Sequence, residues 1–184
     1  MDTLMLILLG MVLVICFIIG IYLTLYNKIQ DYIIRINEVE SIIDNNLREK
    51  YDNINKISSI FKGIDKIKID KKILDEIVKL KNKKISNFNL DRKLIETNNY
   101  FTSLKENHKE IKTNDEINIT FQKISDLDEI LTVNKEYYNR NIAEYNKLIT
   151  LFPTNIVASI CKYKEKLFFD RKDMSDEDYN DFKL

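Results

Sequence analysis

From Thr3 to Asn27 the chain carries no charged side chain, and residues 4–25 are almost entirely apolar. Such a run must be covered, by protein or by lipid. Crossing a bilayer takes ~20 residues of helix, so the run is long enough to span one. A cleaved signal peptide would place basic residues ahead of the run and a small-x-small site behind it. Here the second residue is Asp2, and the run closes on Tyr22-Leu23-Thr24-Leu25-Tyr26. A lipidated cysteine would come after a small residue, whereas Cys16 comes after Ile15. The expectation is an uncleaved anchor over residues 1–27, with Tyr22 and Tyr26 at the interface. Only Asp2 flanks the run on one side, against Lys28, Arg35, Arg48 and Lys50 on the other. The positive-inside rule then puts the rest of the chain in the cytoplasm.

Beyond the anchor the chain reads as helix. The whole sequence has three Gly and one Pro, too few for the turns of an all-β domain. No Gly or Pro interrupts residues 21–62, where Ile29, Ile33, Ile36, Val39, Ile43, Leu47, Tyr51, Ile54, Ile57 and Phe61 recur in steps of three or four. The anchor helix should run straight into this one, which at 1.5 Å per residue reaches ~50 Å outward. A second stretch starts with Asp70 as N-cap. It carries Ile73, Ile77 and Leu80, is interrupted at Ser86-Asn87-Phe88-Asn89, and resumes through Leu90, Leu94, Tyr100 and Leu104 toward Ile111. A third is capped by Asn114, with Asp115 and Glu116 suited to the positive dipole end. Its stripe is Ile117, Phe121, Ile124, Leu127, Leu131, Asn134, Tyr138, Ile142, Tyr145, Leu148 and Phe152, and Pro153 ends it. A fourth piece, residues 155–169, presents Ile156, Val157, Ile160, Tyr163, Leu167 and Phe168.

Short connections make neighbouring helices antiparallel. The expected fold is therefore all-α: a transmembrane helix continuing into an antiparallel bundle of three long helices plus a short C-terminal helix, over residues 28–169. Helix one leaves the membrane, helix two returns, helix three leaves again and the fourth piece folds back. The same stripes would also suit an extended coiled-coil oligomer, against which the turn signals near Gly63 and Asn114 speak. Residues 170–184 hold six acidic and three basic side chains without apolar periodicity, which predicts a disordered tail.

The chemistry expected of this composition is sparse. The 29 basic and 29 acidic residues balance, whereas general nucleic-acid binding needs an excess of Lys and Arg. His108 is the single His and lies among Lys and Glu, so it reads as a solvated surface residue. Di-iron bundles, zinc sites and nucleophilic triads need more His or Cys than this. Cys16 and Cys161 fall on opposite sides of the span boundary, which rules out an intramolecular disulfide. The glycines, Gly10, Gly20 and Gly63, form no phosphate-binding loop. No enzyme, cofactor or metal is expected.

Three features invite a binding role. Residues 62–84 hold nine Lys against four acidic residues. A solvated face is the ordinary reading; contact with an acidic partner, through Lys66, Lys68, Lys71 and Lys72, is the functional one. Tyr138-Asn139 and Tyr145-Asn146 lie seven residues apart on one face, either as core with register-setting Asn hydrogen bonds or as a polar recognition strip. Ile149-Thr150-Leu151-Phe152-Pro153 and the segment after it either cap the bundle core or form an amphipathic segment that returns to the membrane or docks a partner.

These residues also carry a resemblance. Tyr26-Asn27 after the span, Ile43-Asp44 with Leu47-Arg48 and Tyr51-Asp52, Phe61-Lys62-Gly63, and the pairs Tyr138-Asn139 and Tyr145-Asn146 resemble the pattern of the LemA family of bacterial membrane-anchored helical proteins. The run Phe152-Pro153-Thr154-Asn155-Ile156-Val157-Ala158 and the pair Phe168-Phe169 complete it. The chain departs from the pattern at Asn55, where the family often has Pro, at a missing Trp before the Ile-Asp pair, and at Leu127-Asp128-Glu129, where the family has Thr-Glu-Asn. The resemblance implies a helical bundle on a single-pass anchor in a bacterial cell membrane, with no established catalytic residues. It fits a scaffold or adaptor that meets another protein or itself, with a ligand- or lipid-sensing bundle as the alternative.

Overall fold

The computed structural model describes residues 3–64, 67–82 and 85–169. Its elements are helices: α1 (Thr3–Lys62), α2 (Lys71–Asn82), α3 (Asn87–Asn107), α4 (Lys109–Lys112), α5 (Asp115–Thr150) and α6 (Thr154–Ile160). No strand occurs among the described residues. The expected acidic tail, residues 170–184, lies outside them.

The punctuation acts as the side chains dictate. α1 runs unbroken for 60 residues and stops at Gly63, whose N–H donates to the Ile60 carbonyl. The Asp70 carboxylate accepts from the Lys72 amide, the Ser86 hydroxyl from the Asn89 amide, and the Asn114 side chain from the Ile117 amide. Each satisfies an orphan donor of a first turn.

The chain forms two compact units, and α1 and α5 contribute to both. One unit joins residues 39–137 to Phe169. Its core is the apolar seam expected from the steps of three and four: Ile43, Leu47, Ile54, Ile57 and Phe61 on α1, Ile77 on α2, Leu94 on α3, Ile117, Ile124 and Leu131 on α5, with Phe101 of α3 added. Phe101, outside the expected stripe, meets Phe61 edge to face at 5.4 Å.

Paired residues give the directions. Lys50 meets Asp128 and Lys56 meets Glu116, so α1 and α5 are antiparallel. Asp91 meets Lys135 and Lys105 lies over Phe121, so α3 and α5 are antiparallel as well. The Asp70 amide donates to the Tyr100 hydroxyl and Glu76 faces Lys93, which makes α2 and α3 a helical hairpin. Four helical segments therefore alternate in direction. This corrects the expected path. α2 and α3 are two helices of opposite direction and not one returning helix with an interruption. One extra reversal inverts every later element.

The other unit joins residues 3–38 to 138–168. Residues 28–38 thus group with the apolar start and with residues 138–168. Apolar side chains from Leu4 to Ile21 are exposed, and burial begins sharply at Ile29. Only α1 is long and apolar enough, among the described residues, to cross a membrane. Tyr138, Ile142, Tyr145 and Ile149 on α5 are buried, as are Val157 and Ala158 on α6.

The fourth helix is shorter than its stripe implied. α6 has 7 residues and ends at Ile160. The Lys162 amide donates to Ser159 and the Tyr163 amide to Ala158, while Lys162 adopts φ 57°. That is a Schellman stop with a lysine at the left-handed position. The face expected from Ile156 through Phe168 does not form: Val157 is buried, and Ile156, Ile160 and Leu167 are exposed.

Candidate functional site

An open groove of about 320 Å³ lies in the unit that carries the apolar start. Leu25, Lys28 and Tyr32 line one wall, at positions i, i+3 and i+7 of α1. Glu144, Lys147 and Leu148 of the antiparallel α5, with Leu151 just past its end, line the other, at i, i+3, i+4 and i+7. Such spacings put each set on one helix face. Phe152, Pro153 and Thr154 close the end. The corner is held by the Thr154 hydroxyl, which donates to the carbonyls of Leu148 and of Leu151, the latter at 2.8 Å. The Phe152–Pro153 peptide is cis.

Behind the corner, α5 clasps the chain that leaves α6. The Asn146 amide donates to the Lys166 carbonyl at 2.8 Å and its oxygen accepts from the Lys166 amide at 2.8 Å. The Tyr145 hydroxyl donates to the Lys164 carbonyl at 3.1 Å. Backbone groups that a longer α6 would have paired internally are satisfied here by α5. Gln30 on α1 donates to the Tyr163 hydroxyl, and the Tyr22 hydroxyl lies 3.6 Å from Cys161 Sγ. Burial, with Tyr26 nearby, pushes the Tyr163 phenol up to about 12. Burial also raises the phenols of Tyr138 and Tyr145.

The family-motif residues thus divide by role. Tyr138 and Tyr145 are buried, so the seven-residue repeat is core and not an exposed strip. Asn146 ties down the segment after α6, and Asn139 is half-buried on the same helix. Ala158 is buried, Pro153 and Asn155 are exposed. Phe152, expected at the end of the seam, is 79% exposed. Of the candidate partner-binding lysines, Lys68, Lys71 and Lys72 lie on the described part of the chain, Lys71 and Lys72 at the start of α2 and exposed. Lys66 lies outside the described residues. His108 is half-buried, with Nδ1 at 2.8 Å from the Leu104 carbonyl, which corrects its reading as a solvated residue. Cys16 and Cys161 are both free.

Several polar residues were not legible as participants. Lys50 is fully buried and meets Asp128; Asp91 is buried and meets Lys135, whose ammonium also lies over the Phe169 ring. Lys28, Tyr32, Glu144 and Lys147 became groove residues only when α5 proved antiparallel to α1. Their helical spacing was the available signal. Among the described residues no group of three His, Cys, Asp or Glu is placed to hold a metal.

The LemA family model matches residues 39–180. The match begins after Tyr26-Asn27 and runs through the middle of the chain, between Gly63 and Leu127, where no motif residue carried the resemblance. No curated protein and no solved structure matches the chain.

Proposed function

The chain belongs to the LemA family, and on that footing we propose that it is a single-pass, membrane-anchored helical scaffold of the bacterial cell, non-catalytic, whose bundle presents a docking surface to a protein partner in the cytoplasm. The observation that carries this reading is the continuity of α1. One 60-residue helix bears bare apolar side chains at its start and a fully buried seam further along. Beyond Gly20 the helix has no Gly or Pro joint up to its end at Lys62, and such a helix transmits position from a bilayer to whatever binds the bundle. Lys68, Lys71 and Lys72 cluster around the start of α2 and would attract an acidic surface.

The test is photo-crosslinking in intact cells, with a crosslinkable residue placed in turn at positions 68, 71 and 72 of the full chain. A recurrent protein adduct, weakened by Lys68→Glu with Lys71→Glu, is the expected result. Failure to trap any protein there and from other exposed bundle faces would remove the adaptor reading. A second reading, a lipid-sensing bundle, is favoured by the groove between Lys28 and Lys147. It requires that phospholipid shift the thermal unfolding of the detergent-solubilised chain.

A further inference from the structure

We propose that the corner between α5 and α6 sits in the headgroup layer of the bilayer beside the anchor, and that the groove it closes holds the phosphate of an anionic phospholipid. This rests on the reading of residues 1–27 as a membrane span.

Depth is the first argument. The uncharged run ends at Asn27, so the hydrocarbon boundary falls near Leu25. Leu25, Lys28 and Tyr32 line the groove, and at 1.5 Å per residue they cover the first ~10 Å beyond that boundary. The headgroup region is ~5–7 Å thick on each side of a bilayer, so the Leu25 and Lys28 end of the groove lies within it and the Tyr32 end reaches just beyond.

The apolar exposure of the corner is the second. Leu151, Phe152, Ile156 and Ile160 are 53%, 79%, 52% and 62% exposed, while Val157 and Ala158 on the other face of α6 are buried. In water this is a costly arrangement. At the acyl boundary it is the arrangement of an interfacial segment. The contact between Cys161 Sγ and the Tyr22 hydroxyl places the end of α6 beside Tyr22, within about one helical turn of Leu25. The groove and the end of α6 thus both lie within about a turn of the hydrocarbon boundary.

Charge selects the lipid. Lys28 and Lys147 come from opposite walls, and Glu144 stands one turn from Lys147 on the same wall, which leaves one net positive charge over an apolar floor of Leu25, Leu148 and Leu151. Ammonium groups bind phosphate as point charges. A phosphodiester with acyl chains below it matches the polar rim and the apolar floor together.

The chain has no Trp, so Phe152→Trp supplies a single fluorescent reporter. The full chain would be reconstituted in vesicles of phosphatidylcholine and phosphatidylglycerol, with and without bromine on the upper acyl carbons. Blue-shifted emission quenched by the brominated lipid is expected. Phe17→Trp, inside the run, serves as the reference. Quenching at position 17 with water-like, unquenched emission at position 152 overturns the inference and leaves the anchor standing. Loss of quenching at both overturns the span and the inference with it. Phosphatidylglycerol retained on the purified chain should fall about fivefold for each lysine removed in Lys28→Gln and Lys147→Gln. Unchanged retention would overturn the headgroup site.

Discussion

Lys50 stands in the α1 seam between Leu47 and Ile54, at a seven-residue interval from Ile43 and Ile57, and is fully buried. Its ammonium reaches Asp128 at the half-exposed edge of α5. A single charged side chain in a helical seam fixes register at some cost in stability. Asp128→Asn should therefore destabilise by about 1–3 kcal/mol, because it leaves the lysine without its ionic partner. Lys50→Met should be close to neutral in stability. Chemical denaturation of the detergent-solubilised chain, followed by circular dichroism, distinguishes the two. The apolar neighbours of Lys50 were legible from spacing, but the lysine was not, since a seam position is polar only where a partner on another helix meets it. Tyr163 supplies a second test. Its folded phenol ionises at about 12 against an ordinary 10.0. Its raised value means the folded state holds the proton, so this contribution is complete below pH 10 and is lost as pH rises toward 12. Titration of tyrosinate absorbance should show a last component that disappears in Tyr163→Phe.

At the scale of elements, α6 is decided by its end. Lys162 closes the Schellman stop at φ 57°, a conformation that costs an L-residue roughly 1–2 kcal/mol and costs glycine little. Lys162→Gly should stabilise the chain by about 1 kcal/mol, read as a higher melting temperature. The segment beyond depends on Asn146, which holds the Lys166 peptide from both sides. Asn146→Ala should cost about 1–3 kcal/mol. Amide exchange at Lys166 should accelerate while exchange in the α1 and α5 seams stays slow. If exchange rose uniformly, Asn146 would be a general core residue and not a clasp. The caps at Asp70 and Asn114 were readable because a cap bonds within three residues of itself, whereas Ser86, which caps α3, read only as part of an interruption. The apolar steps after Pro153 promised a longer helix than exists. Local pattern carried no sign that the side chains of Tyr145 and Asn146 would claim the backbone of residues 164–166.

At the scale of the whole molecule, orientation in the membrane is open to direct measurement. Lys71 is exposed, so Lys71→Cys in a Cys16→Ser, Cys161→Ser background should resist a membrane-impermeant maleimide in intact cells and label on lysis. Labelling before lysis would move the bundle to the outer side and redirect the search for a partner to the cell envelope. The sequence alone determined that the chain is helical, where its long helices lie, that one end is uncharged and long enough to span a bilayer, and which face of each helix is apolar. These properties arise from interactions within a few residues of one another, where spacing and composition are sufficient. Only the tertiary structure decided the direction of α5. The pattern between α2 and α3 read as one helix with an interruption, and the reversal of the chain there is settled by pairs far apart in sequence, such as Asp91 with Lys135 and Lys50 with Asp128. That one reversal brings Phe152 and Lys147 beside Leu25 and Lys28, and with it the groove exists.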